Sequence, residues 1–222
     1  MAEIEDGKLI FKVATYNVAA LGYCTDDKDA IARDIAKTDA DIVGLQEIDM
    51  FLHRSGEIDM AAGIAAAAGY PHHRFIRAVD YKGGQYGTAI LSKHPIEKLK
   101  VIDLPSAVEE RSVGIFVINV LGERINYFNT HFSYVESEAI DHLGRLSKIV
   151  EDYNSYVITA DFNANRAAQL AFFGKHRLAN PDERGIDNII MTEDFDYSSP
   201  ELGNDVLSDH RMLTAILTKS IS

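Results

Sequence analysis

Cysteine is nearly absent from this sequence: Cys24 is the only one in 222 residues, so no intramolecular disulfide can form. A lone thiol is compatible with a reducing cytosol, and cytoplasmic is the expected location. A secreted bacterial protein without disulfides, its leader trimmed away, fits the same composition. The opening Met1-Ala2-Glu3-Ile4-Glu5-Asp6-Gly7 is acidic and has no apolar signal region. Long hydrophobic runs are missing too. The most apolar stretch, Met60 to Gly69, is Ala-rich and about half the length a bilayer-spanning helix needs.

Positive charge is scarce. With 34 acidic and 22 basic residues the net charge is −12. A protein that grips long nucleic acid through its phosphates presents a basic footprint, and none is visible overall, so nucleic acid is disfavoured as a partner except through a local basic rim. The surplus carboxylates also serve as solubilising surface. No low-complexity segment or long linker breaks the chain, so residues 1–222 read as one domain with one sizeable core. Several catalytic signatures are lacking as well. Gly83-Gly84-Gln85-Tyr86-Gly87 has neither the Lys-Ser/Thr of a P-loop nor the spacing of a dinucleotide fingerprint, and reads as a turn. There is no H-E-x-x-H zinc spacing and no G-x-S-x-G nucleophile elbow.

What is present is a series of apolar strands that close on polar residues. Val157 to Ala160 reads as a buried strand ending in Asp161 and Asn163, two residues apart and so on one face if the chain stays extended. Taken alone, that stretch is equally an Asx-type turn. Leu9 to Tyr16 is a strand closed by Asn17, and Asp41 to Gln46 one closed by Glu47. Arg124 to Thr130 ends at His131, while Ser208-Asp209-His210 precedes a last strand from Arg211 to Leu217. Asp187 lies inside a sixth apolar stretch, Ile186 to Met191, where a carboxylate needs a partner or a metal. Further strands are expected at His72–Val79, Thr88–Ser92, Ile96–Asp103 and Arg111–Leu121, with a hairpin at Leu121-Gly122-Glu123. Helices are expected from Asp26-Asp27 to Lys37, over Glu57–Ala68 with Gly69 as its cap, over Glu136–Tyr153, and near Ala167–Phe173. Alternating helices and strands with hairpins in the middle point to two packed mixed sheets with helices outside. Hard oxygen donors with few sulfurs suit Mg²⁺ or Mn²⁺ better than zinc.

The order of these stretches carries a resemblance. Ala14-Thr15-Tyr16-Asn17, Leu45-Gln46-Glu47, Tyr86-Gly87-Thr88-Ala89-Ile90-Leu91-Ser92, Asn129-Thr130-His131, Ala160-Asp161-Phe162-Asn163, Ile186-Asp187 and Ser208-Asp209-His210 resemble the successive motifs of the endonuclease/exonuclease/phosphatase superfamily. The resemblance implies an α/β (α+β) four-layer sandwich of the deoxyribonuclease-I type, and Mg²⁺- or Mn²⁺-dependent hydrolysis of a phosphate ester. It implies Glu47 as a metal ligand, with Asn17 near metal and phosphate, and Asp209 reaching the metal directly or through water. Asp161 matches the carboxylate that activates water, and Asn163 the residue that holds phosphate or water. His210 matches the phosphate-binding histidine, with Asp187 as its carboxylate partner, and His131 resembles a second phosphate-facing histidine. Glu109 and Arg111 resemble a Glu-x-Arg element on the substrate side, and Arg54 an arginine at the site rim; a surface ion pair is the plainer reading of both. His72, His73, His94, His142 and His176 match no motif and are expected to be structural or exposed.

Three departures narrow the resemblance, one of them that the segment from Arg166 to Arg184 is shorter than in many relatives and lacks their usual Thr-aromatic landmark. Ala160 replaces a usual glycine, and Ala19 stands where the abasic-site nucleases carry an aspartate. Arg166, Lys175, His176, Arg177 and Arg184 cluster in one short stretch, either as a phosphate-binding rim or as a solvated loop. The net charge favours a small-molecule or lipid-like phosphate ester as substrate. A nuclease acting on DNA or RNA is the alternative within the family, and a catalytically inactive binding module on the same fold the alternative from another class.

Overall fold

The computed structural model describes residues 1–21, 28–204 and 206–221. In chain order its first elements are β1 (Glu3–Glu5), β2 (Lys8–Asn17), α1 (Lys28–Thr38), β3 (Ile42–Met50), α2 (Met60–Ala68), β4 (His72–Tyr81) and β5 (Gly84–Ser92). Then come β6 (Ile96–Leu104), β7 (Arg111–Val120), β8 (Glu123–His131), α3 (Glu136–Ile149), β9 (Tyr156–Asp161) and α4 (Arg166–Phe173). The last are β10 (Arg177–Leu178), β11 (Asp187–Met191), β12 (Phe195–Leu202) and β13 (Leu213–Ser220).

These strands form two mixed sheets. One has the order β12-β13-β2-β3-β5-β4, with β1 added on β2; the other runs β10-β11-β9-β8-β7-β6. Only the β2–β3 and β8–β9 pairs are parallel, and in each the intervening helix (α1 or α3) supplies the crossover that parallel strands require. Between the sheets lie Leu9, Phe11 and Val13 of β2 with Phe116, Ile118, Tyr127, Val157 and Ile189 of the other sheet. On the outer face of the first sheet Ala14, Tyr16, Val43 and Leu45 pack against Ile31, Ala32 and Ile35 of α1 and Met60, Ala61 and Ile64 of α2. On the outer face of the second, Val113, Phe128, Ile158 and Ile190 pack against Ala139, Leu143 and Leu146 of α3. The result is a four-layer α/β/β/α sandwich, as the motif order implied.

Several expected boundaries move, each for a local reason. The strand at Ile42 does not end at Glu47 but runs on to Met50, because a bulge between Leu45 and Ile48 lets it keep pairing with β5. The stretch after Gly83 is not a turn: Gly84 and Gly87 sit inside β5. A side chain at Gly87 would place its Cβ 2.0 Å from the Ile76 carbonyl oxygen, so glycine there serves close strand approach rather than chain reversal. The second helix starts at Met60, not Glu57, because Asp59 caps it by accepting from Ala62 N. Gly69 closes it in the left-handed conformation, φ 80°, as expected. The third helix ends at Ile149 and passes into a 3-10 turn, Val150–Asp152. Its buried face is Ala139, His142, Leu143 and Leu146, while Ile140 stays exposed. Asp26 and Asp27, expected to open the first helix, lie outside the described residues. Three strands were not expected, β1, β10 and β12; each sits at a margin of its sheet, and β12 is bulged between Ser198 and Glu201 around a proline.

Candidate active site

The inward-facing residues change character along the strands, and this gradient makes the site. Val13, Ile42, Tyr127 and Val157 form an apolar tier between the sheets. Two residues further along the same inner rows come Thr15, Gly44, Asn129 and Thr159, a neutral polar tier. Asn129 Oδ1 accepts from Gln46 Nε2 at 3.0 Å and from Thr159 Oγ1 at 3.0 Å, while its Nδ2 donates to the carbonyls of Leu45 and Ala89. Gln46 Nε2 also donates to Thr15 Oγ1 at 3.1 Å. All of these polar residues are buried, and the shared hydrogen bonds offset their desolvation. Gly44 is required in this tier, since a Cβ there would lie 2.1 Å from Thr159 Oγ1.

Two residues further on, the rows end in ionisable groups. His131, Asp161 and Asp187 are direct cross-strand neighbours on β8, β9 and β11. Asn17 ends the inner row of β2, facing them from the other sheet. Glu47 would point the opposite way from Gln46 by strict alternation. The β3 bulge and a left-handed backbone at Glu47, φ 59°, bring it onto the same face. Asn17 Nδ2 then donates to both Glu47 Oε1 at 3.2 Å and Asp161 Oδ2 at 2.9 Å, joining the two sheets by one amide.

Asp161 Oδ2 is the focus of the cluster. Besides Asn17 it faces His131 Nε2 at 3.4 Å and His210 Nε2 at 3.7 Å. Its other oxygen accepts from Asn163 N at 2.9 Å, so an Asx-type turn is indeed built here and shares the carboxylate with the cluster. That turn holds Asn163 at φ 46°, a conformation asparagine tolerates. Its Nδ2 donates to the Phe132 carbonyl at 3.0 Å and lies 3.2 Å from His131 Nε2. His210 Nδ1 is 2.8 Å from Asp187 Oδ2. The His210 segment is tied down by Ser208, whose hydroxyl donates to the Asn17 carbonyl at 2.7 Å and accepts from His210 N at 3.1 Å.

The electrostatics separate the two histidines. Burial works against charge on His210, but the hydrogen bond and charge of Asp187, with Asp161 and Asp209 beside it, raise its pKa to about 9. His131 is driven well below its ordinary value by burial, then by Arg111 and His210. Its 3.4 Å contact with Asp161 is therefore between a neutral ring and a carboxylate. Burial and the adjacent Asp187 push Asp161 up to about 6. Glu47 is raised too, by burial and by Asp161, with the Asn17 hydrogen bond opposing.

This donor set fits a hard divalent cation. Asp161, Asp187 and His210 lie within 4.8 Å of one another, and Glu47 joins them through Asn17; His210, held protonated by Asp187, gives a proton there and not a ligand atom, so the carboxylates are what a cation would meet. Two carboxylates raised by burial and by a neighbouring carboxylate, Glu47 by Asp161 and Asp161 by Asp187, and a buried Asp187 Oδ1 with no hydrogen-bond partner, are what a nearby cation relieves. Asn17 itself turns its amide NH₂ to the carboxylates and its Oδ1 to Ala19 N, 3.0 Å away. So placed, it orients Glu47 and Asp161. Asp209 is exposed beside His210.

The remaining expected residues divide. Arg111 is buried against the site, its Nη1 lying 3.1 Å from His131 Nδ1 and 2.7 Å from Glu109 Oε1. Arg54 is held away from the cluster. Its Nε and Nη2 fork onto the fully buried Asp49 at 2.8 and 2.7 Å, and its guanidinium stacks between the Tyr81 and Tyr86 rings. In the Arg166–Arg184 stretch Lys175 and Arg184 are exposed, while the other three have partners within the protein. Arg166 donates to the Asn180 carbonyl, Arg177 pairs with Asp196, and His176 meets the Tyr156 hydroxyl. His142 is buried and structural, its ring nitrogens spent on Ser133 N and the Pro105 carbonyl. Asp49 and Thr159 were given no part in the site from sequence, and Tyr86, Ser208, Thr15, Gln46 and Asn129 stood within the motif stretches without a role of their own. The tier had a signal, because its members sit two residues before the site residues on the same rows.

Residues 14–210 match the Endonuclease/Exonuclease/phosphatase family. No curated protein matches the chain. Among solved structures, an endonuclease/exonuclease/phosphatase from Beutenbergia cavernae is 20% identical, with a TM-score of 0.78 over 95% of this chain and 72% of that one. One from Bacteroides vulgatus is 19% identical, with a TM-score of 0.77 over 94% of this chain and 98% of its own. A mannosyl-6-phosphatase from Bacteroides thetaiotaomicron is 18% identical, with a TM-score of 0.66 over 93% and 99%. No helix among the described residues is long and apolar enough to cross a membrane.

Proposed function

The chain belongs to the endonuclease/exonuclease/phosphatase family of metal-dependent phosphoric ester hydrolases, and from that premise we propose that residues 1–222 act as one catalytic domain hydrolysing a small-molecule or lipid-like phosphate ester. The observation that carries the reading is the convergence of Asn17, His131 and His210 on a single oxygen of the buried Asp161.

Glu47, with Asp209 on the open side, would hold Mg²⁺ or Mn²⁺, and Asn17 fixes the carboxylate of Glu47. The cation, when bound, supplies positive charge against the phosphate oxygens. Asp161 Oδ2 orients the attacking water and takes its proton; ionised, it is the one strong base at the focus of the site. His210, kept protonated by Asp187, donates from Nε2 to the phosphate as negative charge grows on it. His131 adds a neutral hydrogen bond from the opposite side, and the Asn163 amide closes the pocket against Phe132. The net charge of −12 supports a small ester over a nucleic acid, and Arg166, spent on the Asn180 carbonyl, is withdrawn from any basic groove. A mannosyl-6-phosphatase among the similar structures supports it further.

The test is hydrolysis of a chromogenic phosphodiester and a phosphomonoester with Mg²⁺, Mn²⁺ or chelator, beside plasmid and single-stranded DNA. Cation-dependent turnover of the small esters with intact DNA is expected, and Asp161→Asn abolishes it. DNA nicking at low salt without small-ester turnover would replace the reading with a nuclease. Silence on all substrates while Mg²⁺ leaves the spectrum of Glu47 unmoved would mark an inactive module.

A further inference from the structure

We propose that Arg111 is a positioning residue that locks His131 into the tautomer bearing its proton on Nε2. The inference rests on the proposed hydrolase reading for its consequence, and on geometry alone for its substance.

A guanidinium has five N–H donors and no acceptor, and it stays protonated in proteins. Arg111 Nη1 lies 3.1 Å from His131 Nδ1, so Nδ1 must present a lone pair there. In a neutral imidazole the proton then sits on Nε2. Nε2 faces Asp161 Oδ2 at 3.4 Å, an acceptor that a proton on Nε2 satisfies. One contact pulls the other way: Asn163 Nδ2, also a donor, is 3.2 Å from Nε2. That amide already donates to the Phe132 carbonyl at 3.0 Å, so it loses little if Nε2 is protonated. The opposite tautomer would set Nδ1–H against a buried cation and the Nε2 lone pair against a buried carboxylate. Two charged neighbours outweigh one neutral amide that has a partner elsewhere.

The neighbours of Arg111 keep it in place. Glu109 Oε1 is 2.7 Å from the same Nη1, and Tyr86 lies on its other side. Arg111 is buried, with 4% of its surface exposed, so its contact with His131 is sheltered from solvent.

The consequence is a division of labour. His131 offers the site a fixed N–H, suited to an oxygen of the phosphate, and has no lone pair facing the reacting atoms. It cannot take the proton of the attacking water, and Asp161 is left as the base. Without Arg111 the ring could turn its lone pair inward and compete for that proton.

The test is ¹⁵N NMR of the metal-free protein labelled at histidine, with His131→Phe used to assign the His131 signals. In the wild type Nδ1 should resonate as a pyridine-type nitrogen and Nε2 as a pyrrole-type one. Arg111→Lys, which keeps a cationic donor, should retain that pattern, and Arg111→Met should lose it, giving the other tautomer or a mixture. With phosphodiester substrate, Arg111→Met should lower kcat by roughly 10–100-fold, as losses of outer-shell partners do, and Arg111→Lys should recover part of it. A proton on Nδ1 in the wild type overturns the proposal, as does an Arg111→Met spectrum identical to the wild type. If Arg111→Met does not fold, the wild-type and Arg111→Lys spectra still decide. If no substrate turns over, the hydrolase reading fails while the spectra judge Arg111 by themselves.

Discussion

Asp187→Asn isolates the pairing that charges His210. Asp187 Oδ2 lies 2.8 Å from His210 Nδ1, and both side chains are largely buried. The imidazole is raised from its ordinary 6.5 to about 9. Converted at 1.36 kcal/mol per unit, that difference is about 3 kcal/mol of preference for the protonated ring in the folded protein. A histidine raised on folding contributes stability that is full below 6.5 and is lost as pH rises through about 9. Asparagine keeps the shape of Asp187 but removes the charge, while the burial that opposes protonation remains. His210 in the variant should therefore titrate near or below 6.5, and His210 NMR titration in the presence of chelator reads this directly. Chemical denaturation across pH gives an independent measure. The variant should be less stable than the wild type by up to about 3 kcal/mol below pH 6.5, with the gap closing by pH 9 to 10. Turnover at neutral pH should fall at least about 10²-fold, the usual loss when a charge-stabilising donor is compromised. A His210 pKa that stays near 9 in Asp187→Asn, or a stability gap flat across pH, would refute the assignment of Asp187 as the group that charges His210.

Asp161→Asn should lose turnover entirely yet fold, and the metal-free variant should be more stable than the wild type above pH 6. Burial and Asp187 raise Asp161 to about 6, so ionising it costs stability as pH climbs from 3.8 through 6; a variant less stable than wild type at pH 7 would contradict this. Gly44→Ala places a methyl group 2.1 Å from Thr159 Oγ1 in the inter-sheet polar tier, and should cost about 3 kcal/mol in denaturant unfolding. Arg54→Met leaves the fully buried Asp49 without its fork and should lower stability by about 2 kcal/mol, discounted because Arg54 is half exposed. The double variant Asp49→Asn/Arg54→Met should recover much of that loss, and a raised KM persisting in the double variant would reveal a substrate contact beyond this pairing.

The sandwich was legible because the chain states it locally. Alternating apolar strands, hairpin turns such as Leu121-Gly122 and two helical crossovers leave few ways to bury every face. The polar strand ends were legible for the same reason, since Asp161, His131 and Asn17 each continue an inner row whose parity can be counted from the sequence. Glu47 was placed in the right strand but by a wrong geometry. Counting parity from Gln46 puts it on the far face, and only the bulge, a tertiary feature with no residue signature of its own here, returns it. The fates of Arg54 and Arg166 were hidden too, because whether a cation meets solvent, substrate or an internal acceptor depends on contacts that no spacing encodes. Asp49, which captures Arg54, looks in sequence like any strand aspartate.

The location of the site at the end of both sheets follows from what its chemistry demands. No single sheet holds a complete set: β2 and β3 bring Asn17 and Glu47, while β8, β9 and β11 bring His131, Asp161 and Asp187. The carboxylates of the two sets repel, and the same burial that sharpens their reactivity makes that repulsion expensive. Asn17 is the one side chain that touches both, a neutral double donor that lowers the cost without adding charge. Beneath it, Asn129 and Gln46 bind the sheets through amide and hydroxyl groups, so the ionisable tier rests on a floor that can neither titrate nor slide. Replacing Asn17 by Asp would add a third carboxylate between two that already repel and should unfasten the sheets at this end. Leucine at Asn129 would instead take away the side-chain donor that the Leu45 and Ala89 carbonyls share, beside the bulge that aims Glu47. The bulge and the amide bridge must form together for Glu47 and Asp161 to face the same substrate.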